Sequence, residues 1–129
     1  MLKTINISIS IIGLGYVGLP LAIALSKKFS VIGYDVDEKR TKALNQYFDK
    51  TKEVSKKKLR DSLRNKLFIS STFEFIKNSD VLIVTLPTPI YKNKKPNLTF
   101  LTKTTLKIAK LQKTKKRLII YESTVYPGL

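Results

Sequence analysis

The sequence predicts an α/β fold in which helices cover both faces of a doubly wound, parallel β-sheet. Short apolar runs such as Ile9–Ile12 and Val81–Val84 carry no charged residue, which is typical of strands buried on both faces. Longer segments with helical spacing of apolar residues separate these runs. A chain of 129 residues, 43% of them hydrophobic, is long enough to build one core. We therefore expect a single domain over residues 1–129.

The first half of the chain predicts two strand–helix units. The first strand is expected at Ile5–Ile12, and the helix after it at Tyr16–Lys28. At three- and four-residue spacing, this helix has an apolar stripe of Val17, Leu21, Ala24 and Leu25 that ends in the charge of Lys28. The second strand is expected at Ser30–Tyr34, and the next helix runs from Asp37, which can cap the free amides, to Phe48.

The second half predicts three more strands. The segment 49–66 is polar and rich in lysine, and within it Ser55–Arg64 is expected to form an exposed helical turn or two. The remaining elements, in chain order, are a strand at Leu67–Ser70, a short helix at Thr72–Lys77, a strand at Asp80–Leu86, a helix at Leu98–Gln112 and a strand at Arg117–Ser123.

The residues between the first strand and its helix read Gly13-Leu-Gly-Tyr-Val-Gly18. Gly13 permits a tight turn, Gly15 lets backbone N–H groups approach a pyrophosphate, and Gly18 lets the helix pack closely against the sheet. The phosphates would lie at the helix N-terminus, where unpaired amides and the helix dipole favour an anion. The motif predicts a dinucleotide site of the Rossmann type, formed by Gly13, Leu14, Gly15, Tyr16, Val17 and Gly18.

Asp35 ends the next apolar run, at the distance of about 20 residues that dinucleotide sites favour. Its carboxylate would accept hydrogen bonds from the adenosine ribose and repel a 2′-phosphate, so the predicted cofactor is NAD rather than NADP. Lys39 and Arg40 lie close to Asp35 in sequence, and they weaken the predicted preference for NAD over NADP. The alternatives are that the glycines form only a structural turn and that Asp35 only ends a strand. We predict no metal site.

Strands that alternate with helices predict a parallel sheet, and the Rossmann connection rules give the strand order 3-2-1-4-5. In such a sheet the ligand cleft lies at the carboxyl ends of the first and fourth strands. Three segments emerge there, namely Gly13–Gly18, Thr85–Pro89 and Ser123–Val125.

The stretch from Thr4 to Ser26 carries no charge and follows Lys3, so a secretory signal peptide is the competing interpretation. Three glycines and Pro20 interrupt the apolar run that a signal requires, and a membrane span needs about 20 apolar residues. Buried parallel strands explain the missing charge without a membrane. We therefore expect a cytoplasmic protein with no membrane partner.

The formal net charge of +16 raises nucleic-acid binding as a rival function. The basic residues are concentrated in Lys50–Lys66, in Lys103–Arg117 and in a polar loop near Lys94, and no recognised nucleic-acid motif accompanies them. We interpret them as solvated surfaces and expect no specific nucleic-acid partner. Weak polyanion binding, which would fade steeply with salt, is the most distant alternative.

Four motifs stand in the order seen in nucleotide-sugar 6-dehydrogenases. These motifs are Gly13–Ala22, Gly33–Asp37, Leu86–Ile90 and Glu122–Gly128. Over nearly its whole length the chain resembles the N-terminal NAD-binding domain of the UDP-glucose/GDP-mannose dehydrogenase family. The Pro-Thr-Pro-Ile loop and the Asn97-Leu-Thr after it are most similar to the branch that acts on UDP-N-acetylhexosamines.

The resemblance implies a two-step oxidation of the C6 alcohol of a UDP-sugar to a uronic acid, with NAD as oxidant and a thioester on a cysteine as intermediate. The full-length enzyme would be a homo-oligomer that makes precursors of surface polysaccharides. By position, Asp35 and Arg40 would join the glycine loop in binding the adenosine and pyrophosphate. Thr124 would be catalytic, orienting a water or substrate oxygen near the reacting carbon.

The resemblance also implies further cofactor-binding residues, which are Thr85, Leu86, Pro87, Thr88, Pro89, Ser123, Thr124 and Val125. Simpler roles remain open for some of them. Pro87 and Pro89 can shape the loop after a strand, and Ser123 and Thr124 can be ordinary turn residues.

The chain contains neither cysteine nor histidine, so it lacks both the thiol and the usual neutral-pH base. In the family the nucleophilic cysteine belongs to sequence beyond these residues, together with a central helical domain and a sugar-binding domain. We expect a truncated frame, a split subunit or a fragment that binds NAD without oxidising a nucleotide sugar. A non-enzymatic NAD-binding module or a decayed gene product is the alternative. The last strand would then be an apolar sheet edge that favours association.

Overall fold

The computed structural model describes residues 6–111, 116–124 and 126–129. Five parallel strands form one sheet in the order β3-β2-β1-β4-β5, which confirms the predicted fold class and strand order. The strands are β1 (Ser8–Ile12), β2 (Ser30–Tyr34), β3 (Leu67–Ser70), β4 (Val81–Val84) and β5 (Leu118–Tyr121). The helices are α1 (Gly18–Leu25), α2 (Glu38–Asn45), α3 (Lys56–Leu63) and α4 (Thr99–Lys110), with a 3₁₀ helix at Phe73–Asn78.

Apolar side chains are buried on both faces of the sheet, as a doubly wound fold requires. On one face Ile11 packs with residues of α1, α2 and α3, among them Leu19 and Leu59. On the other face Ile12 packs with the 3₁₀ helix and α4, through residues such as Ile76. The neighbouring residues Ile11 and Ile12 of β1 therefore point to opposite cores, so this strand is covered on both faces.

Several predicted elements extend further than the observed ones. The predicted ends at Ile5 and Gln112 lie outside the described residues. The first helix begins at Gly18 instead of Tyr16, because the preceding residues form the glycine loop. The second helix ends at Asn45 instead of Phe48, because Tyr47 has a φ of 64°, which a right-handed helix excludes.

The predicted last two strands are also too long. β4 is four residues long and spans Val81–Val84, whereas the prediction was Asp80–Leu86. β5 spans Leu118–Tyr121, whereas the prediction was Arg117–Ser123. Val84, the last residue of β4, pairs with Tyr121, the last residue of β5. The two strands therefore end side by side, and the loops that follow them begin at the same edge of the sheet.

The predicted apolar stripe of the first helix is only partly right, because Leu21 and Leu25 pack against the core but Val17 and Ala24 are exposed. The buried residues of α1 are Gly18, Leu19, Ala22 and Ile23, whereas Val17 is 57% exposed. All eight residues of α1 are apolar, glycine or proline, so their spacing does not distinguish one face from another. The contact of Gly18 with the end of β1 selects the buried face.

The helix predicted within Ser55–Arg64 of the Lys-rich segment is confirmed, but it is less exposed than expected. α3 has eight residues, its Ser55 cap accepts a hydrogen bond from the Lys58 backbone N–H at 3.3 Å, and Leu59 is fully buried in the core. The helix is therefore part of the packed domain and not merely an exposed turn. Its lysines are exposed, in agreement with a solvated surface, and the absence of a specific nucleic-acid partner stays a prediction.

β5 lies at the edge of the sheet, as expected. Leu118 is 58% exposed on this edge. Self-association through the edge stays a prediction. None of the helices in residues 6–111, 116–124 and 126–129 combines the length and apolarity needed to cross a bilayer.

Candidate functional site

The connection from β1 to α1 requires glycine at two positions, for different reasons. Gly13 has a φ of 102°, in the region that favours glycine, and its N–H donates to the Tyr34 carbonyl at 2.8 Å. A Cβ on Gly18 would overlap the Gly13 carbonyl oxygen. The Thr85 hydroxyl donates to that same oxygen at 2.7 Å. These contacts place the start of α1 directly against the ends of β1 and β4.

Gly15 is different because it faces open space. Apart from Gly15 and its two chain neighbours, no residue has an atom within 4 Å of the position that a Cβ on Gly15 would take. Within the described residues, the backbone N–H groups of Gly15, Tyr16 and Val17 donate no hydrogen bond, and all three residues are exposed. Unpaired amides at a helix N-terminus bind anions. The loop therefore fits the diphosphate of a dinucleotide, which can approach the backbone where Gly15 has no side chain.

Asp35 lies beside this loop at the carboxyl end of β2. Its Oδ2 accepts from the Leu14 backbone N–H at 2.9 Å, and its Oδ1 accepts from the Asp37 backbone N–H at 3.0 Å. Each carboxylate oxygen can accept a further hydrogen bond, and the residue is partly exposed. The carboxylate is thus held in one orientation and can still accept from ribose hydroxyls. Burial, and then the charge of Asp35, raises the pKa of the neighbouring Tyr34, so its phenol is neutral near neutral pH.

Arg40 lies beneath the glycine loop with its side chain only 4% exposed. Its Nε and Nη2 both donate to the Leu14 carbonyl, at 2.9 and 2.8 Å. Its Nη1 donates to Asp49 Oδ1 at 2.8 Å. The guanidinium is therefore engaged with the protein itself, and a direct contact between Arg40 and the cofactor stays a prediction.

Asp49 is a residue that the sequence analysis missed. Besides Arg40, its carboxylate accepts hydrogen bonds from the Thr51 backbone and hydroxyl at 3.0 and 2.7 Å, and from the backbone N–H groups of Glu53 and Val54 at 3.0 Å each. An aspartate two residues before a threonine is a common turn pattern, but nothing in the sequence connects it to Arg40. Asp49 fixes the loop between α2 and α3 and joins it to the glycine loop.

The hydrogen bonds of Asp49 change its acidity. Burial by itself would raise the pKa of its carboxyl group. The bonds from Thr51, Arg40 and Val54 favour the charged form more strongly, and together they lower the pKa from 3.8 to about 2. Asp49 is therefore fully charged near neutral pH.

The loops after β4 and β5 are joined to each other, as their shared position in the cleft predicts. The Ser123 hydroxyl donates to the Leu86 carbonyl at 2.8 Å, and the Thr88 hydroxyl donates to the Thr124 carbonyl at 3.0 Å. Thr85 is buried at the start of the β4 loop, where it holds the glycine loop.

The remaining predicted site residues have less definite surroundings. Pro87 and Pro89 are exposed, so their placement agrees with a cofactor path and equally with a loop-shaping role. Thr124 is exposed as well, and its catalytic role stays a prediction. Val125 lies outside the described residues.

Comparison with known proteins agrees with this geometry. Residues 7–129 match the profile described as UDP-glucose/GDP-mannose dehydrogenase family, NAD binding domain. The chain is 42% identical over 123 residues to both protein CapL of Staphylococcus aureus and UDP-N-acetyl-D-glucosamine 6-dehydrogenase of Pseudomonas aeruginosa, covering 95% of this chain and 28% of each relative. The solved structure of the UDP-D-ManNAc dehydrogenase of Pyrococcus horikoshii aligns with a TM-score of 0.86 at 31% identity, covering 95% of this chain and 29% of that one. The chain thus spans less than a third of the length of these relatives.

The low pKa of Asp49 predicts how its contribution to stability depends on pH. The pKa is lower in the folded chain, so the stabilisation is complete above the unfolded value of 3.8 and is lost as the pH falls towards 2. The shift corresponds to about 2 kcal/mol. Asp49→Asn leaves Arg40 buried without a charged partner, and we expect it to lower the free energy of unfolding by about 3 kcal/mol near neutral pH.

This difference between the original chain and Asp49→Asn should shrink as the pH falls through the window from 3.8 to about 2, as measured by urea unfolding at several pH values. Asp61→Asn is the matched control, because the Asp61 side chain is 55% exposed and its contacts with basic residues are 3.5 Å or longer. A difference that stays constant across this window would contradict the assignment.

Proposed function

The chain belongs to the UDP-glucose/GDP-mannose dehydrogenase family, and on this premise we propose that it forms the cofactor half of an enzyme that oxidises a UDP-N-acetylhexosamine at C6 to a uronic acid. NAD is the cofactor of this domain family. The observation that carries the proposal is the glycine loop, in which three consecutive exposed residues have unpaired N–H groups and Gly15 leaves open space. The substrate is inferred from the names of the relatives, since this chain spans 28% of their length.

Each part of the cleft has a distinct role in this proposal. The amides of Gly15, Tyr16 and Val17 bind the diphosphate, and Asp35 accepts from the adenosine ribose. The loops at Thr85–Pro89 and Ser123–Val125 line the path towards the nicotinamide, which accepts the hydride when NAD is bound. Thr124 orients a water or substrate oxygen near the reacting carbon.

The properties of the whole enzyme belong to the same proposal. A homo-oligomeric state rests on the family resemblance. A cytoplasmic location is supported by the role of the uncharged N-terminal run, because β1, the glycine loop and α1 account for its residues from 8 to 25. A surface polysaccharide precursor is the proposed product.

We expect this chain alone to bind NAD without forming NADH from a UDP-sugar. Its 129 residues include no cysteine, so a thioester would need a thiol from outside them. The test mixes the purified chain, NAD⁺ and UDP-N-acetylglucosamine and follows the absorbance of NADH, with UDP-glucose as a second substrate. NADH formation with either sugar would show that the chain carries its own catalytic group.

A pair of glycine variants tests the position of the diphosphate. In Gly15→Ala the methyl group enters open space, so we expect the stability to change by less than about 0.5 kcal/mol. The same methyl group occupies the approach to the amides, so the affinity for NADH should fall at least about tenfold. NADH fluorescence titration and urea unfolding measure the two effects.

Gly18→Ala is the contrasting variant. Its methyl group would overlap the Gly13 carbonyl oxygen, so we expect a loss of stability before any ligand is added. If Gly15→Ala bound NADH as tightly as the original chain, the glycine loop would not be the diphosphate site.

The preference for NADH over NADPH depends on the charge of Asp35. Asp35→Asn removes the repulsion of a 2′-phosphate, and we expect the ratio of NADPH to NADH affinity to rise about tenfold. Asp37→Asn is the control, because asparagine retains the N-cap hydrogen bonds to Lys39 and Arg40 and removes a charge only two residues away. Equal shifts in both variants would indicate a general effect of charge and would contradict the assignment.

A further inference from the structure

Asp49 lies outside the cleft and is the strongest candidate for a role beyond the residues already assigned. We propose that Asp49 is a positioning residue for the dinucleotide, acting through Arg40 on the peptide group between Leu14 and Gly15. This inference rests on the proposed binding of NAD. The contacts of Asp49 and Arg40 would orient an unpaired backbone amide of the glycine loop towards the diphosphate.

The argument begins at the Leu14 carbonyl. This carbonyl and the Gly15 N–H belong to one planar trans peptide group and point in opposite directions. Two bonds from Arg40, from Nε at 2.9 Å and from Nη2 at 2.8 Å, hold the carbonyl towards the protein interior. The Gly15 N–H is thereby directed to the opposite side, in agreement with the exposure of Gly15 and with an N–H that donates no hydrogen bond within the described residues.

The Leu14 residue is held from both ends. Its N–H donates to Asp35 Oδ2 at 2.9 Å, while its carbonyl accepts from Arg40. The ribose-binding carboxylate and the first diphosphate-binding amide are therefore connected through a single residue. A change in the position of Arg40 would move the amide relative to Asp35.

Arg40 itself depends on Asp49. The two side chains are 4% and 1% exposed, and Nη1 is 2.8 Å from Oδ1. Four further hydrogen bonds, from Thr51, Glu53 and Val54, fix the Asp49 carboxylate. A buried guanidinium without a charged partner is strongly unfavourable, so loss of Asp49 favours a conformation in which Arg40 turns to water and releases the Leu14 carbonyl.

An electrostatic role and a positioning role of Asp49 predict opposite changes in the affinity for the dinucleotide, so the proposal can be tested. Removal of a negative charge near the loop would strengthen the binding of an anionic diphosphate if only the electrostatic field mattered. If Asp49 positions the amide, its removal weakens binding despite the gain in positive charge. The sign of the change therefore separates the two explanations.

The experiment compares Asp49→Asn with the original chain by calorimetry with NAD⁺ and by NMR titration with adenosine, which lacks the diphosphate. We expect the affinity for NAD⁺ to fall at least about fivefold, and the affinity for adenosine to change by less than about twofold. Both titrations are done at a temperature at which unfolding curves show the two proteins to be folded. A merely structural role would lower both affinities by the same factor.

Glu38→Gln is the charge-matched control. Glu38 is a carboxylate on the same helix α2 as Arg40, its side chain is 70% exposed, and its contact with Lys42 is long, at 3.5 Å. We expect this variant to bind both ligands like the original chain.

Arg40→Lys is the second variant, for the case in which Asp49→Asn does not fold. Lysine retains the charge and cannot hold the Leu14 carbonyl and Asp49 with the fixed geometry of a guanidinium. We expect the same selective loss of affinity for NAD⁺. If both variants fold, the double variant should bind NAD⁺ no more weakly than the weaker-binding single variant. The reason is that the two residues act on the same peptide group.

The outcomes are distinguishable. If the original chain binds no NAD⁺, the proposed function fails, and this inference fails with it. If the original chain binds NAD⁺ and the folded variants bind it equally well or more tightly, only the positioning role is wrong. Equal losses for NAD⁺ and adenosine would likewise overturn the positioning role and leave the proposed function intact.

Discussion

The site depends on the contact between the start of α1 and the end of β1. Gly18 lies so close to the Gly13 carbonyl that no side chain fits between them, and Thr85 donates a hydrogen bond to the same carbonyl. This contact fixes where the helix begins, which of its faces is buried and how its N-terminal amides are directed. The neighbouring ends of β2 and β4 can then contribute Asp35 and the loop after Thr85 to one cleft.

In the proposed site, the backbone and not the large positive charge of the chain would supply the attraction for an anion. The net charge is +16, but the unpaired amides of the exposed loop belong to glycine, tyrosine and valine. Among the described residues, the buried charged side chains are Arg40 and Asp49, which neutralise each other. In this proposal the guanidinium holds the Leu14 carbonyl beneath the loop, and the amides of the loop attract the anion.

The candidate site could be predicted from the sequence only where the residues that form it make a local pattern. The spacing of the glycines and the offset of Asp35 are local features, and the structure brings these residues together with Thr85. The burial of Arg40 depends on contacts with Leu14 and Asp49, which lie 26 and 9 residues away. No periodicity links these three residues, so sequence alone did not distinguish a cofactor contact from a support beneath the loop.

The sequence by itself determined the alternation of strands and helices and the class of ligand, because buried strands and a side-chain-free turn each leave a pattern in a short stretch of residues. The strand order then followed from the general rules for connections between parallel strands. Only the tertiary structure decided which face of the uniformly apolar α1 is buried, that Leu59 anchors the Lys-rich segment, and that Asp49 holds Arg40 under the glycine loop. These features depend on which surfaces meet after the chain has folded. Contacts between residues that are distant in sequence leave no such local pattern.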